Sequence, residues 1–438
     1  MTANAETPAT EAIPIPSPVP EPMSMGEVLR IPVMRRLWYA QIVSTFGDFL
    51  ALFAVITVMT FNLHATAQQV TGIQIAYLGP IAVLGILSGV FVDRWPVKPT
   101  LVASDFLRAG LVLCLLLVHS AWGFYIVLAA ISVVSSFFSP AQGVAIRTAV
   151  PRHGMPSAQA LLQQVMFIMR IIGGPIAASL VAWAGAKCCY WVDSASFLAS
   201  GCLIATLALS VPAKSAVVAE ESKADGSAVV VNGPTGVRKI VLDMKEGAGF
   251  IVHHAGISFV IMALAAAMFV LGCFGPLIAI YVRDTLHASR LIFGLTSAMI
   301  GLGMLLGVNV LNSKAKNARK TTMVYCGLAG IALGTLLLAA IPMLPVALLA
   351  LVIIGIAAAA VIVPSQTLIA QETPHEMMGR VGSTMMSAIF SAQIAGLILS
   401  GILTVHISIR GVFGLCTGLM VVLLIAGRWM QKKRAVSM

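Results

Sequence analysis

The sequence predicts an all-α polytopic membrane protein of twelve transmembrane helices in two six-helix, pseudo-symmetric halves, and three observations carry that expectation. The first is composition: of 438 residues, 59% are hydrophobic and only 10% charged, with a mean hydropathy of +0.98. Sixteen acidic and 27 basic side chains cannot coat a water-soluble protein of this size, so the solvent for most of the chain must be hydrocarbon. The second is the succession of apolar runs long enough to cross a bilayer, which takes about 20 residues each. The third is the distribution of the basic residues. If twelve runs span, 21 of the 27 Lys and Arg fall on the side that holds both termini. Positive loops stay cytoplasmic, so both termini are expected there, in a multi-pass protein of the cell membrane.

Taken in order, residues 1–34 are expected to be a disordered tail, because Pro-rich sequence with four glutamates in its first thirty residues buries too little apolar surface to order itself. This acidic, proline-rich start does not resemble a signal peptide, and the first span is expected to act as its own insertion signal. Spans are expected near 37–62, 70–92, 99–119, 121–143, 158–183 and 187–209, forming an N-terminal half over 35–210. A polar linker follows over 211–247, with a short amphipathic helix expected near 237–247. The C-terminal half, 248–428, holds spans near 256–283, 290–312, 321–341, 344–368, 380–404 and 410–428, and a basic tail covers 429–438. The breaks fall at Asp93-Arg94-Trp95-Pro96, His119-Ser120, Pro151 to Gly154, Lys314 to Lys320, and Pro342 with Pro345.

Matching features recur across the linker. Gly85-Ile-Leu-Ser-Gly89 in span two is answered by Gly303-Met-Leu-Leu-Gly307 in span eight, and Pro140-Ala-Gln142 ending span four by Pro364-Ser-Gln366 ending span ten. Each match is weak alone, since GxxxG usually marks close helix packing. Their common order and loop context point to a six-plus-six duplication, an architecture suited to alternating access around a midplane site.

The loop after span two, Gly89-Val-Phe-Val-Asp93-Arg94-Trp-Pro-Val-Lys98, resembles the G-x-x-x-D-R-x-G-R-R signature of the major facilitator superfamily. Gly89, Asp93, Arg94 and Lys98 match it, while Pro96 and Val97 depart from it. The resemblance extends over most of the chain. Three further segments are similar to the branch that includes macrolide-efflux and enterobactin-exporter types: Ser104-Asp105-Phe-Leu-Arg108-Ala109, Arg170-Ile-Ile-Gly-Gly174-Pro175 and Trp191-Val-Asp193-Ser-Ala-Ser196-Phe197. Gly173, Gly174 and Pro175 are similar to an antiporter signature whose later glycines are replaced here by Ala177, Ala178 and Ser179. The resemblance implies proton-coupled export of a small molecule. It also implies that Asp93, at the cytoplasmic rim, docks on the N-terminal end of span eleven near Gly379-Arg380, where a carboxylate meets the positive end of a helix.

A charge retained in hydrocarbon costs at least ~2.5 kcal/mol, so each one is a functional suspect. Asp48 lies near the middle of span one, where desolvation favours its neutral form and lets it load and release a proton. Arg170 is the basic residue expected nearest the bilayer centre, and Asp193 is the nearest acid in sequence. Arg170 paired with Asp48 or Asp193 would tie protonation to a conformational change; a permanent buried ion pair is the alternative. Asp105 and Arg108 are spaced i,i+3, so they can pair on one face of span three. Near its cytoplasmic end they can also snorkel to the interface, which fits a gate-supporting role. Gln41, Gln74, Gln163, Gln164, Asn309, Gln366 and Gln393 can line a cavity or bond between helices.

Several function classes lack their residues. There is no P-loop for ATP, no Ser/His/acid or His/carboxylate constellation for an enzyme, no charged ring or filter segment for a channel, and no ligand spacing for a metal or cofactor. The basic residues do not gather on a face with aromatics between them, so nucleic acid is not an expected partner. The expected partners are a small-molecule substrate, protons and the lipid bilayer, with one chain sufficient for function. An importer or facilitator of the same fold, or a non-transporting receptor or scaffold, remains open on sequence alone.

Overall fold

Hydrocarbon offers backbone N–H and C=O groups no partner, so a single chain crosses it as helices that satisfy those groups internally. The computed structural model describes residues 23–92, 95–207, 246, 248–252, 254–314, 319–374 and 377–437, and among these all regular secondary structure is helical. The N-terminal half comprises α1 (Pro32–Thr57), α2 (Ala67–Val92), α3 (Val97–Cys114), α4 (Ala121–Ala149), α5 (Met155–Ala184) and α6 (Ala186–Ala205). The C-terminal half comprises α7 (Ala255–Ile280), α8 (Arg290–Lys314), α9 (Lys320–Ala340), α10 (Leu344–Glu372), α11 (Met378–His406) and α12 (Ile409–Ser437). Ten of these are long and apolar enough to cross a membrane. The other two are α2, whose 26 residues carry no charged side chain, and α3, whose 18 residues include Lys98, Asp105 and Arg108.

The duplication is written in the backbone. α1 and α7 each end in a π turn, Val58–Asn62 and Tyr281–Thr285. Each turn is followed by a histidine in the left-handed region, His64 at φ 47° and His287 at φ 49°. Non-glycine residues rarely adopt this conformation, and here it recurs at the same point of both hairpins. The bonds around it recur too: Leu63 N–H to Val58 and Leu286 N–H to Tyr281, both 3.0 Å, then Ala65 N–H to Met59 and Ala288 N–H to Val282, both 2.9 Å. Helix pairing follows one scheme in the two halves except that α1 also packs closely on α6, whereas α7 meets α12 only lightly. α1 packs on α5, α2 on α4 and α3 on α4 and α6; α7 packs on α11, α8 on α10 and α9 on α10 and α12. Of the two GxxxG matches, Gly303 and Gly307 lie against α10, with Val352 O 2.3 Å and Ala359 Cβ 2.8 Å from where their Cβ atoms would stand. Helix packing therefore accounts for that motif. Exposed Trp122, Trp183 and Trp191 lie near helix ends remote from the termini, where an interfacial aromatic belt belongs.

The tail is shorter than the sequence suggests. Met25–Arg30 form a helix opened by a capping box, in which the Ser24 hydroxyl accepts from Glu27 N–H and the Glu27 side chain accepts from Ser24 N–H at 2.7 Å. α1 follows from Pro32 at once. The reason is docking: Val28 is fully buried, Met23 N–H donates to His153 O at 3.3 Å and Ser157 Oγ donates to Met23 O at 2.6 Å. At the other end, α12 continues through most of the predicted basic tail to Ser437. The linker helix expected near 237–247 lies outside the described residues except for Glu246.

The cap makes the short helix sensitive to pH. Bonds from the Ser24 backbone N–H and hydroxyl hold the Glu27 carboxyl below the usual carboxylate range. A lowered value in the folded state gives stability that is present above the unfolded value and lost as pH falls through the lowered one. A spin label at Gly26, which has open space around it, should therefore become mobile as pH falls below the usual carboxylate range. The transition should vanish in Glu27→Gln; label mobility that stays flat from pH 7 to 3 would remove this account.

Candidate functional site

The buried charges of the N-terminal half meet between α1, α3 and α6. Asp105 and Arg108, one turn apart on α3, form an ion pair and are 0% and 4% exposed. Ser200 Oγ of α6 donates to the other Asp105 oxygen at 2.7 Å. The Arg108 guanidinium lies between two rings, 4.4 Å from the Phe138 centroid and 4.4 Å from that of Phe197. Its charge also acts on Asp48 of α1 and Asp193 of α6, and Asp48, Asp193 and Arg108 all act on the Tyr77 hydroxyl of α2. Gly47 makes the α1–α6 approach possible. A Cβ there would stand 2.1 Å from Ser196 Oγ and 2.3 Å from Asp193 Oδ1, so only glycine admits these side chains beside Asp48.

Arg108 is thus paired with Asp105 and lies within electrostatic reach of buried Asp193 and half-buried Asp48. With all four groups ionised the cluster carries a surplus of two negative charges; two bound protons make it neutral. Burying unbalanced charge costs several kcal/mol per ion. Among the described residues no set of three or more His, Cys, Asp or Glu side chains is arranged to hold a metal ion.

This arrangement changes one expectation and fills in another. The Asp105–Arg108 pair does not snorkel: both residues are buried, and the guanidinium is covered by Phe138 and Phe197. Arg108 is accordingly the described cation that faces Asp48 and Asp193, in the place expected for Arg170. Arg170 belongs to α5, and its side chain lies outside the described residues, as do Asp93 and Arg94 of the loop signature. Gly89 is within α2 and Lys98 in the first turn of α3. Arg380, at the start of α11, is 2.5 Å from Glu246. Sequence reasoning missed Tyr77, Phe138, Phe197 and Ser200. The signal for two of them was present, because Asp193, Ser196, Phe197 and Ser200 follow the i, i+3, i+4, i+7 spacing of one helix face.

A cavity of about 340 Å³ lies between the two halves. Its walls come from α1, α2 and α5 on one side and α7, α8 and α11 on the other, and include Phe49, Phe53, Gln74, Gly174, Phe293 and Gln393. Contacts between the halves gather at the end of the bundle remote from the termini. Phe53 and Phe293 stack with centroids 4.6 Å apart. A Cβ at Gly174 would meet Gly294 O at 3.1 Å, and one at Gly294 would meet Ala178 Cβ at 2.3 Å, so α5 and α8 touch through their backbones. Arg283 of the second π turn donates from Nη1 to Thr60 O at 2.6 Å and Ala65 O at 3.0 Å of the first hairpin, while Asp284 holds its Nε at 2.5 Å. Toward the termini, Met166 of α5 and Met386 and Phe390 of α11 are exposed. Of the antiporter-like residues, Gly173 lies against Phe49, Gly174 lines both cavity and closure, and Pro175 stands within α5.

The family model described as Major Facilitator Superfamily matches residues 37–271 and 257–437. An uncharacterized MFS-type transporter of Bacillus subtilis (strain 168), YfiS, is 24% identical over 392 residues, 88% of this chain and 89% of that protein. A second from the same organism, YkuC, is 24% identical over 245 residues, 55% of each chain. Among solved structures, the nucleoside transporter NupG superposes with a TM-score of 0.64 at 15% identity, covering 91% of this chain and 99% of its own. A bacterial homologue of the iron transporter ferroportin, in an inward-facing state, gives 0.64 at 15% identity, covering 91% and 98%. At these identities the structures speak for the fold alone.

Proposed function

The chain belongs to the major facilitator superfamily, a membrane transporter family, and from that premise we propose that it is a proton-coupled exporter of an amphipathic small molecule working by alternating access. The observation that carries the reading is the position of α1. Its successive residues Asp48 and Phe49 belong to the carboxyl cluster and to the cavity wall respectively. A proton that changes the charge of the cluster changes the packing of the helix that also forms the cavity, which is the differential contact a coupled transporter requires.

The excess of basic residues on the side of the termini supports cytoplasmic termini, which makes the closed end the outer one and the cavity one that loads from the cytoplasm. Export rests on the resemblance of Arg170 to Pro175 and of the Asp105 and Asp193 segments to the efflux branch. Asp48 carries the exchanging proton, Arg108 is its counter-ion, and the Asp93 loop steadies the cytoplasmic rim when that side closes. The six walls of the cavity come from one chain, so a monomer suffices.

The test is made in vesicles containing a pH-sensitive dye, with a panel of lipophilic drugs as substrates. Asp48→Asn should keep the protein folded and binding its substrate while abolishing substrate-driven proton flux. Substrate-dependent proton flux that survives this substitution would show the coupling role to be wrong.

A further inference from the structure

Resting on the reading of the central cavity as the transport site, we propose that its substrate is uncharged when bound, carries a flat ring system, and is recognised by two amides, Gln74 of α2 and Gln393 of α11. Among the described residues Gln74, Ser297 and Gln393 are the polar side chains that line the cavity. Gln142 Nε2 donates to Gln41 Oε1 at 2.8 Å and Gln41 Nε2 to Thr45 Oγ1 at 2.8 Å, so that pair ties α1 to α4. Ser297, also on the cavity wall, donates to Phe293 O of its own helix at 3.0 Å. The side-chain amides of Gln74 and Gln393 have no hydrogen-bond partner among the described residues, and both line the cavity.

Both amides are half-buried and open to the cavity, so they are free to exchange water for a ligand group that supplies a hydrogen bond. Here that group is a carbonyl, amide or hydroxyl, bridging one amide from each half. Two glycines of α7 keep the place open. A Cβ at Gly275 would stand 3.0 Å from Gln74 Nε2, so a larger residue there would displace that amide, and one at Gly272 would meet the backbone carbonyl of Gln393, so a larger residue there would push α11 and its glutamine away.

The charge of the ligand follows from the same wall. Among the described residues none that lines the cavity is charged, and an ion held against these walls would shed its hydration without a counter-charge from them, which is costly in such a setting. The ring follows from the stacked Phe53–Phe293 pair and Phe49 on the same cavity wall, since flat aromatic bodies pack on such rings. A weak acid or base would bind in its neutral form.

Four naphthalene probes separate these claims: 2-naphthamide, 2-naphthoate, (2-naphthyl)trimethylammonium and 2-isopropylnaphthalene. Binding to the purified protein in nanodiscs should be about tenfold tighter for the amide than for either ion. Gln74→Leu and Gln393→Leu should each weaken the amide about tenfold, the loss of one good hydrogen bond, without weakening 2-isopropylnaphthalene and without moving the thermal midpoint. Gln393→Glu should turn the preference toward the cation. Ions that bind as well as the amide, no binding of any probe, or leucine variants that hold the amide as the parent does would each overturn the proposal. Flux is read separately. If the amide binds selectively but is not carried in vesicles, the carrier reading falls and the recognition stands; if the cation is carried in preference, the recognition falls and the carrier stands.

Discussion

Arg108→Met should destabilise the protein by about 3–5 kcal/mol, the cost of removing one partner from a buried ion pair and leaving the other charge uncompensated. Asp105 is fully buried, so its carboxylate has no water to turn to once the guanidinium is gone. Methionine replaces the stem volume and the contact with Phe138 and Phe197, which confines the loss to charge and hydrogen bonding. The double variant Arg108→Met with Asp105→Asn removes both partners and should recover most of the thermal stability, because a buried pair replaced as a whole is often close to neutral. Proton flux should not recover with it, since Asp48 and Asp193 have still lost the cation they share. Stability and coupling are thereby separated within one cycle. An Arg108→Met protein that melts with the parent, or a double variant no more stable than the single one, would show that the pair contributes nothing of the kind.

The architecture was legible because hydrocarbon makes one demand of every span. Apolar length located the helices, with ends displaced by as much as six residues for α4 and nine for α12, and the paired GxxxG and Pro-x-Gln segments pointed to the duplication that the two π turns and left-handed histidines repeat in the backbone. Asp48 and Asp193 were legible for the same reason, as charges where charges are expensive. Their cation was not. Arg108 reads as a partner for Asp105 that can snorkel to the interface, and it is interior because Phe138 of α4 and Phe197 of α6 close over its guanidinium, a tertiary fact. Gln41 and Gln74 look alike in sequence. What distinguishes them is that Gln142 comes within 2.8 Å of one and an apolar cavity faces the other, a tertiary fact with no local signature. The clasp of Arg283 on Thr60 O and Ala65 O is similar: it joins hairpins more than 200 residues apart.

That closure sets the second large effect. Gly294→Val should prevent the end of the bundle remote from the termini from closing, because a Cβ at this position falls 2.3 Å from Ala178 Cβ and 2.9 Å from Gly174 O. Neither neighbour is the free end of a flexible side chain, so α5 and α8 must separate. Overpacking of this kind costs about 1–3 kcal/mol, and since the clash exists only in the closed arrangement, the whole cost falls on one side of the equilibrium, a shift of about 5–150-fold. Ser297→Cys, on the cavity wall beside the closure, supplies the reporter, read against the same protein without it because Cys114, Cys202 and Cys326 are exposed. A membrane-impermeant maleimide added on the side opposite the termini should label it faster in the Gly294→Val background, with transport falling in step. Arg283→Gln should move labelling in the same direction but less, since it loosens two hydrogen bonds and creates no overlap. Adding Ala178→Gly to Gly294→Val should restore part of the closure and leave the strain against Gly174 O. Labelling and transport unchanged by valine at 294 would mean that the α5–α8 contact plays no part in the cycle.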